Sequence, residues 1–218
     1  HRLGGNEAPP AIISIYLGEE LERILDCIEN GKPYSAAKKS ELKIGVTVLP
    51  PIRKDSTDRN RTSPFAFTGN KFEFRMVGSA ANISCPNFIL NTIVAEELRG
   101  FAEELEGAED FDAALEKLMK KTIKEHRRVI FSGNNYSEEW KKEAKRRGLP
   151  ELKTTVDALP LYEEEKNVEL FERHGVLSIE EIHSRKEILL ENYANIVHIE
   201  AVTALDMARS EITPAIIE

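Results

Sequence analysis

Apolar residues at Leu17, Leu21, Ile24, Leu25 and Ile28 fall at i, i+4, i+7, i+8 and i+11, the one-sided stripe of an amphipathic helix. Gly31 and Pro33 supply its stop signals. Residues 33–60 lose that period. Lys-rich turns surround a β-branched run over 44–49, then come Pro50-Pro51 and the charged Arg53-Lys-Asp55, so the stretch predicts one strand within a long excursion. Over 70–77 the period becomes two, with Phe72, Phe74 and Met76 on one face and Lys71, Glu73 and Arg75 on the other. This predicts a strand. A helical stripe resumes over 86–105 through Leu90, Val94, Leu98, Phe101 and Leu105, with Pro86 in the first turn, where a missing N–H costs nothing.

Beyond Gly107 every signal is helical. Residues 111–128 predict one helix; Asn135 with Glu138 offers a capping-box start for a second that stops at Gly148 and Pro150. A third, over 161–173, is closed by Gly175. Ser178 with Glu181 forms another capping box, opening a long helix striped by Ile182, Leu189, Tyr193, Ile196 and Leu205 and ending before Pro214. The class is therefore α+β: an incomplete antiparallel sheet with helices over 1–106, and a helical, bundle-like half over 107–218. One strand makes no stable sheet, so the missing strands are expected from chain N-terminal to this piece or from a neighbouring subunit. The opening His1-Arg2-Leu3 has the character of mid-loop sequence, which reads as a piece of a longer chain.

Composition narrows the function classes. With 41% hydrophobic and 31% charged residues the 218-residue chain has the make-up of a folded protein, not of a disordered one. Thirty Lys and Arg against 38 Asp and Glu leave a formal charge of −8, which argues against a nucleic-acid surface but not against nucleotides, which need a few local cations. No apolar run approaches the ~18–20 residues that cross a bilayer and no charged-then-apolar leader opens the chain, so a cytoplasmic protein without a membrane partner is expected. Cys27 and Cys85 are far apart and outside any Cys-x-x-Cys arrangement, and read as buried thiols.

Three features carry candidate chemistry. Lys71, Glu73 and Arg75 form a cation–anion–cation row on one strand face. Such a row is either a solvated sheet face or a pair of cations holding anionic substrates beside a carboxylate that ligates a divalent metal. Arg59-Asn60-Arg61-Thr62 is a polar loop whose guanidinium groups can clamp phosphate oxygens if the loop folds back over the strand. The opening Arg2-Leu-Gly-Gly-Asn-Glu7-Ala-Pro-Pro10 joins flexible glycines and an acid to two prolines, and is either an ordinary turn or a flap that brings Glu7 over an active site. His126, His174, His183 and His198 have no metal-binding spacing, and the runs Glu163-Glu-Glu-Lys166 and Lys141-Lys-Glu-Ala-Lys-Arg147 read as solvated helix faces.

Taken in order, Arg2-Leu, Glu7-Ala-Pro9, Asn60-Arg61, Lys71-Phe-Glu73-Phe-Arg75 and Ala80-Ala-Asn82 resemble the second half of the glutamine synthetase catalytic domain. The stretches His1-Arg-Leu-Gly-Gly-Asn-Glu-Ala-Pro-Pro10, Pro64-Phe-Ala-Phe-Thr-Gly-Asn-Lys-Phe-Glu-Phe-Arg75, Glu191-Asn-Tyr-Ala-Asn-Ile-Val-His198 and Asp206-Met-Ala-Arg209 are similar to the type III class of that family, over nearly the whole chain. The resemblance implies an ATP-dependent ligase that phosphorylates glutamate and displaces the phosphate with ammonia. It makes Glu73 a ligand of Mg2+ or Mn2+, places glutamate on Arg2 and Arg75, sets Arg61 on the transferred phosphate and Lys71 on the nucleotide side, and makes Glu7 the flap acid that deprotonates ammonium. It also implies that the rest of the parent chain, and further subunits in a large homo-oligomer, complete the enzyme, and that this piece alone is inactive. Three departures stand out: the family's strand motif begins with Arg where this chain has Lys71, the opening loop is one residue shorter than in type I, and a second Arg expected after Arg61 is replaced by Ser63-Pro-Phe65-Ala-Phe67. Two other readings remain open, a helical oligomer-assembly module without activity of its own and a stand-alone binding protein.

Overall fold

The computed structural model describes residues 12–35, 41–42, 52–53, 62–75 and 81–217, with 41–42 and 52–53 described by their backbone alone. Along the chain these form β1 (Ile15–Tyr16), α1 (Glu19–Glu29), β2 (Glu41–Leu42), β3 (Ile52–Arg53), β4 (Phe65–Phe67), β5 (Phe72–Phe74), α2 (Ser84–Leu105), α3 (Phe111–His126), α4 (Glu138–Arg146), α5 (Thr155–Ala158), α6 (Glu165–Arg173), α7 (Ile179–Met207) and α8 (Thr213–Ile217). The α+β class holds, with helix dominant and a small open sheet. The described residues fall into two compact units, one of those between 12 and 75 with 100–151, the other of 81–99 and 152–217.

In the first unit β4 is central, parallel to β1 and antiparallel to β5, so the sheet is mixed and not wholly antiparallel. The strand expected over 70–77 is found as β5 over Phe72–Phe74, while Met76 and Val77 lie outside the described residues; β5 pairs with β4 of this chain, contrary to the expectation that its partners come from elsewhere. Phe65-Ala-Phe67 and Ile15-Tyr16 are too short to display a period, which is why the sequence pattern did not mark them. The hairpin closes at Gly69-Asn70, where Gly69 takes a φ of 99° that a side chain would strain. The Thr68 N–H donates to the Lys71 carbonyl at 2.8 Å, and the Arg75 N–H donates to Pro64 at 2.8 Å, extending the ladder beyond both ends of β5. The predicted strand over 44–49 lies outside the described residues; β2 and β3 on either side of it pair antiparallel.

Helix α1 ends near Gly31, as its stop signals require, and its Ile24, Cys27 and Ile28 share a groove with Leu115 and Met119 of α3. Arg127 clasps this pair by bonding Asp26 and, at 3.2 Å, Glu29. Helix α4 is capped by Ser137, whose hydroxyl accepts the Trp140 N–H at 3.1 Å, and not by Asn135, which is buried. The reason is burial: Trp140, 1% exposed, packs with Ile12 and Ala144 and stacks on Phe131 at 4.0 Å between ring centroids, which fixes where the first turn of α4 starts. Arg147 lies over the Trp140 ring and donates to the Ile130 carbonyl at 2.9 Å, so this member of the charged run is structural.

In the second unit Phe171, Leu177 and Ile182 form the core, with Phe88, Ile89, Tyr162 and Val168 against them. The helix expected over 161–173 breaks at Glu164 into a 3-10 turn (Leu159–Glu163) and α6. The capping box of α7 forms in both directions, the Glu181 N–H donating to the Ser178 hydroxyl at 3.3 Å and the Ser178 N–H to the Glu181 carboxylate at 2.8 Å. The helix does not stop before Pro214. A π-turn over Ala208–Ile212 widens the backbone ahead of the proline, which has no N–H to give, and the Ser210 and Thr213 hydroxyls satisfy the Asp206 and Ala208 carbonyls at 2.7 and 2.6 Å. The two thiols are half-buried instead of buried, and Cys85 lies 3.0 Å from the Tyr162 hydroxyl.

Glu143 of α4 provides a pH test of the first unit. Hydrogen bonds from Arg146 and Arg147 lower its carboxyl from an ordinary 4.5 to about 2. A depressed carboxyl stabilises the fold above its unfolded value and loses that contribution as pH falls through the folded one. The expected outcome is a thermal midpoint that declines between pH 4.5 and about 2, with a shallower decline in Glu143→Gln. Parallel declines in the two proteins would contradict it.

Candidate functional site

The register of the hairpin builds the site. Phe65 lies opposite Phe74 and Phe67 opposite Phe72, so four rings share one face, with centroids 5.3 to 6.0 Å apart. Ala66 lies opposite Glu73 on the other face, and Ala66 is fully buried.

On that face the expected row assembles. Glu73 accepts from Arg75 at 3.0 and 3.2 Å through one carboxylate oxygen and meets the Lys71 ammonium at 3.4 Å through the other. The Arg75 hydrogen bonds, joined by those of Lys71, hold the Glu73 carboxyl below its usual range, so it is ionised at neutral pH. The two cations differ in setting. The Arg75 side chain is 18% exposed and anchored, while that of Lys71 is 65% exposed at the row's edge.

Arg2, Glu7 and Arg61 lie outside the described residues. Among the described residues no three His, Cys, Asp or Glu side chains group to hold a metal ion. Glu73 is the one described carboxylate in the row and both its oxygens already meet cations, so the described side chains do not by themselves complete a hard-cation site. His174 bonds Glu96 at 2.8 Å and His183 pairs with Glu163, which also holds Lys186. These histidines are ties between helices, and Glu163 is part of one such tie instead of a solvated face. No helix among the described residues is long and apolar enough to cross a membrane. What the sequence pattern did not mark was the hairpin itself, although Gly69-Asn70 just ahead of the alternating run is a turn signal.

Comparison with known proteins gives a consistent picture. A family model for the glutamine synthetase C-terminal domain matches residues 114–218. The type-3 glutamine synthetase of Dictyostelium discoideum is 49% identical over 218 residues, covering 99% of this chain and 30% of that protein. A glutamine synthetase of Butyrivibrio fibrisolvens is 42% identical, covering 100% and 31%, and one of Bacteroides fragilis (strain YCH46) is 40% identical, covering 98% and 30%. The chain thus spans about three tenths of the length of these relatives.

The row can be tested by titration. Arg75→Ala is expected to move the Glu73 carboxyl upward toward its ordinary range, and Lys71→Ala to move it less, because Arg75 is the larger cause of the shift. Carbon-detected NMR of the glutamate carboxyls reads both. An unmoved Glu73 in Arg75→Ala would contradict the geometry.

Proposed function

We propose that the chain, similar over 99% of its length to a type-3 glutamine synthetase and matching the glutamine synthetase C-terminal domain over residues 114–218, carries part of the active site of a ligase forming glutamine from glutamate, ammonia and ATP. The observation that carries this reading is the Lys71–Glu73–Arg75 row, assembled on one strand face inside a stretch that aligns almost end to end with a type-3 relative. In the proposed reaction a γ-carboxylate oxygen of glutamate attacks the γ-phosphorus of ATP and ADP leaves; ammonia then attacks the acyl carbon and inorganic phosphate leaves. Negative charge spreads over the transferred phosphoryl group, so cations placed beforehand stabilise it.

The roles follow the resemblance. Arg75, anchored, and Arg2 bind glutamate; Lys71, exposed at the row's edge, faces the nucleotide; Arg61 meets the transferred phosphate; and Glu7 accepts the proton of ammonium. Glu73 would give one oxygen to Mg2+ or Mn2+, whose charge would neutralise phosphate oxygens. The remaining ligands would come from residues beyond the described ones. Residues 1–106 would be the C-terminal part of the catalytic domain and 107–218 a helical C-terminal region, working in the cytoplasm within a large homo-oligomer.

A second reading, a helical assembly module without activity of its own, is favoured by exposed apolar residues on the long helices. Val94 and Leu98 of α2 are 55% and 61% exposed, and Ile188, Ile196, Ile199 and Val202 of α7 are all more than half exposed. Helices apolar on most sides are normally covered. The two readings agree for a whole enzyme and differ for this chain alone.

In the full-length enzyme Glu73→Ala is expected to reduce glutamine formation to background at saturating metal, and to weaken Mn2+ binding measured by electron paramagnetic resonance. Normal turnover would remove Glu73 from the site. The isolated chain, given ATP, glutamate, ammonium and magnesium, is expected to form no glutamine, because one described carboxylate cannot hold the cations that phosphoryl transfer requires. Clear turnover by the isolated chain would show the site to be self-contained.

A further inference from the structure

The Glu73 carboxylate is shared unequally between its two neighbours. The Arg75 guanidinium donates from Nε at 3.2 Å and from a terminal nitrogen at 3.0 Å, and both bonds end on the same oxygen, Oε2. The other oxygen, Oε1, faces the Lys71 ammonium at 3.4 Å, the longest of these contacts. The two cations are also held differently. Arg75 is 18% exposed, and its backbone N–H donates to the Pro64 carbonyl at 2.8 Å, so its guanidinium starts from a fixed point on the sheet. Lys71 follows the Gly69-Asn70 turn directly and is 65% exposed. Its ammonium is a point charge on a flexible stem, without the planar fork that locks a guanidinium to a carboxylate. One oxygen of Glu73 is therefore tied to an anchored cation, and the other carries an exchangeable one.

In donor type this carboxylate fits a hard divalent cation, since it is ionised at neutral pH and such cations take carboxylate oxygens. With Oε2 engaged by Arg75, Oε1 is the oxygen that remains for a metal ion, and Lys71 stands on it. We propose that Lys71 is an internal counter-ion of Glu73 that competes with the divalent cation, so that the Lys71–Glu73 pair and metal binding at Oε1 exclude one another. The proposal rests on the function proposed above and deepens it, giving Lys71 a part in metal binding besides its place on the nucleotide side. Whatever binds the ammonium or the metal shifts the other by the same factor, because the two share one oxygen. Release from Glu73 also leaves the Lys71 charge at the outer edge of the row.

The test measures Mn2+ binding to the full-length enzyme by electron paramagnetic resonance, without nucleotide or substrates, so that it reads metal affinity and not turnover. An exposed ion pair is weak, so its removal is expected to tighten the metal by a modest factor: Lys71→Met, which keeps the stem and removes the charge, should lower the Kd for Mn2+ by about 2- to 5-fold. Lys71→Arg keeps a cation beside Oε1 and gains a fork, so its Kd should equal or exceed that of the wild type. Both substitutions fall on a side chain 65% exposed, where neither disturbs a core. A Kd lowered in Lys71→Met and not in Lys71→Arg supports the proposal. An unchanged or raised Kd in Lys71→Met, or a lowered Kd in both variants, overturns it. Glu73→Ala measured alongside separates the two levels. If Glu73→Ala binds Mn2+ as tightly as the wild type, the reading of Glu73 as a metal ligand has failed and the proposal with it. If Glu73→Ala binds Mn2+ more weakly while Lys71→Met matches the wild type, only the competition by Lys71 has failed.

Discussion

Everything at the site depends on the two-residue period of one short hairpin. The Gly69-Asn70 turn sets the register in which Glu73 lies opposite Ala66 and four phenylalanines gather on the other face. A slip of one residue would exchange the faces, turning the carboxylate into the rings and a phenylalanine into the cations. The aromatic contacts, the burial of Ala66 and the bonds from Lys71 and Arg75 to Glu73 all favour the same register. Agreement among independent local preferences is how a sequence singles out one structure.

The helices serve the hairpin through few but specific ties. β1 borders β4 on one side and bridges to Ile130 on the other, so the strand next to the site is held by the segment leading out of α3. Trp140 on Phe131 and Arg147 on the Ile130 carbonyl lock that segment to α4. The sheet therefore draws its order from sequence more than fifty residues downstream, and the helical half does not stand apart as mere bulk. The exposed apolar residues of α2 and α7 agree with a chain that matches about three tenths of its relatives' length.

Much of this was legible in the sequence, and the failures have physical causes. The period over 70–77, the capping box at Ser178 and the stop at Gly31 were local signals, and local signals survive folding. The row of charges was legible for the same reason, since a strand's alternation fixes which side chains share a face. β1 and β4 were not, because two or three residues carry no period. Asn135 was misread as a cap because burial, which no local pattern announces, claimed its side chain and left Ser137 to cap α4. The passage of the last helix through Pro214 was equally hidden, since the π-turn that permits it is a backbone adjustment absent from any propensity.

The central claim is that the row around Glu73 belongs to a site that makes an acyl phosphate from glutamate. The most direct measurement follows the oxygen. Full-length enzyme supplied with ATP, ammonium and glutamate labelled with oxygen-18 in its γ-carboxylate should release inorganic phosphate carrying one labelled oxygen for each glutamine formed, because the carboxylate oxygen that attacked phosphorus leaves with it. Glutamine formed together with unlabelled phosphate would contradict the account.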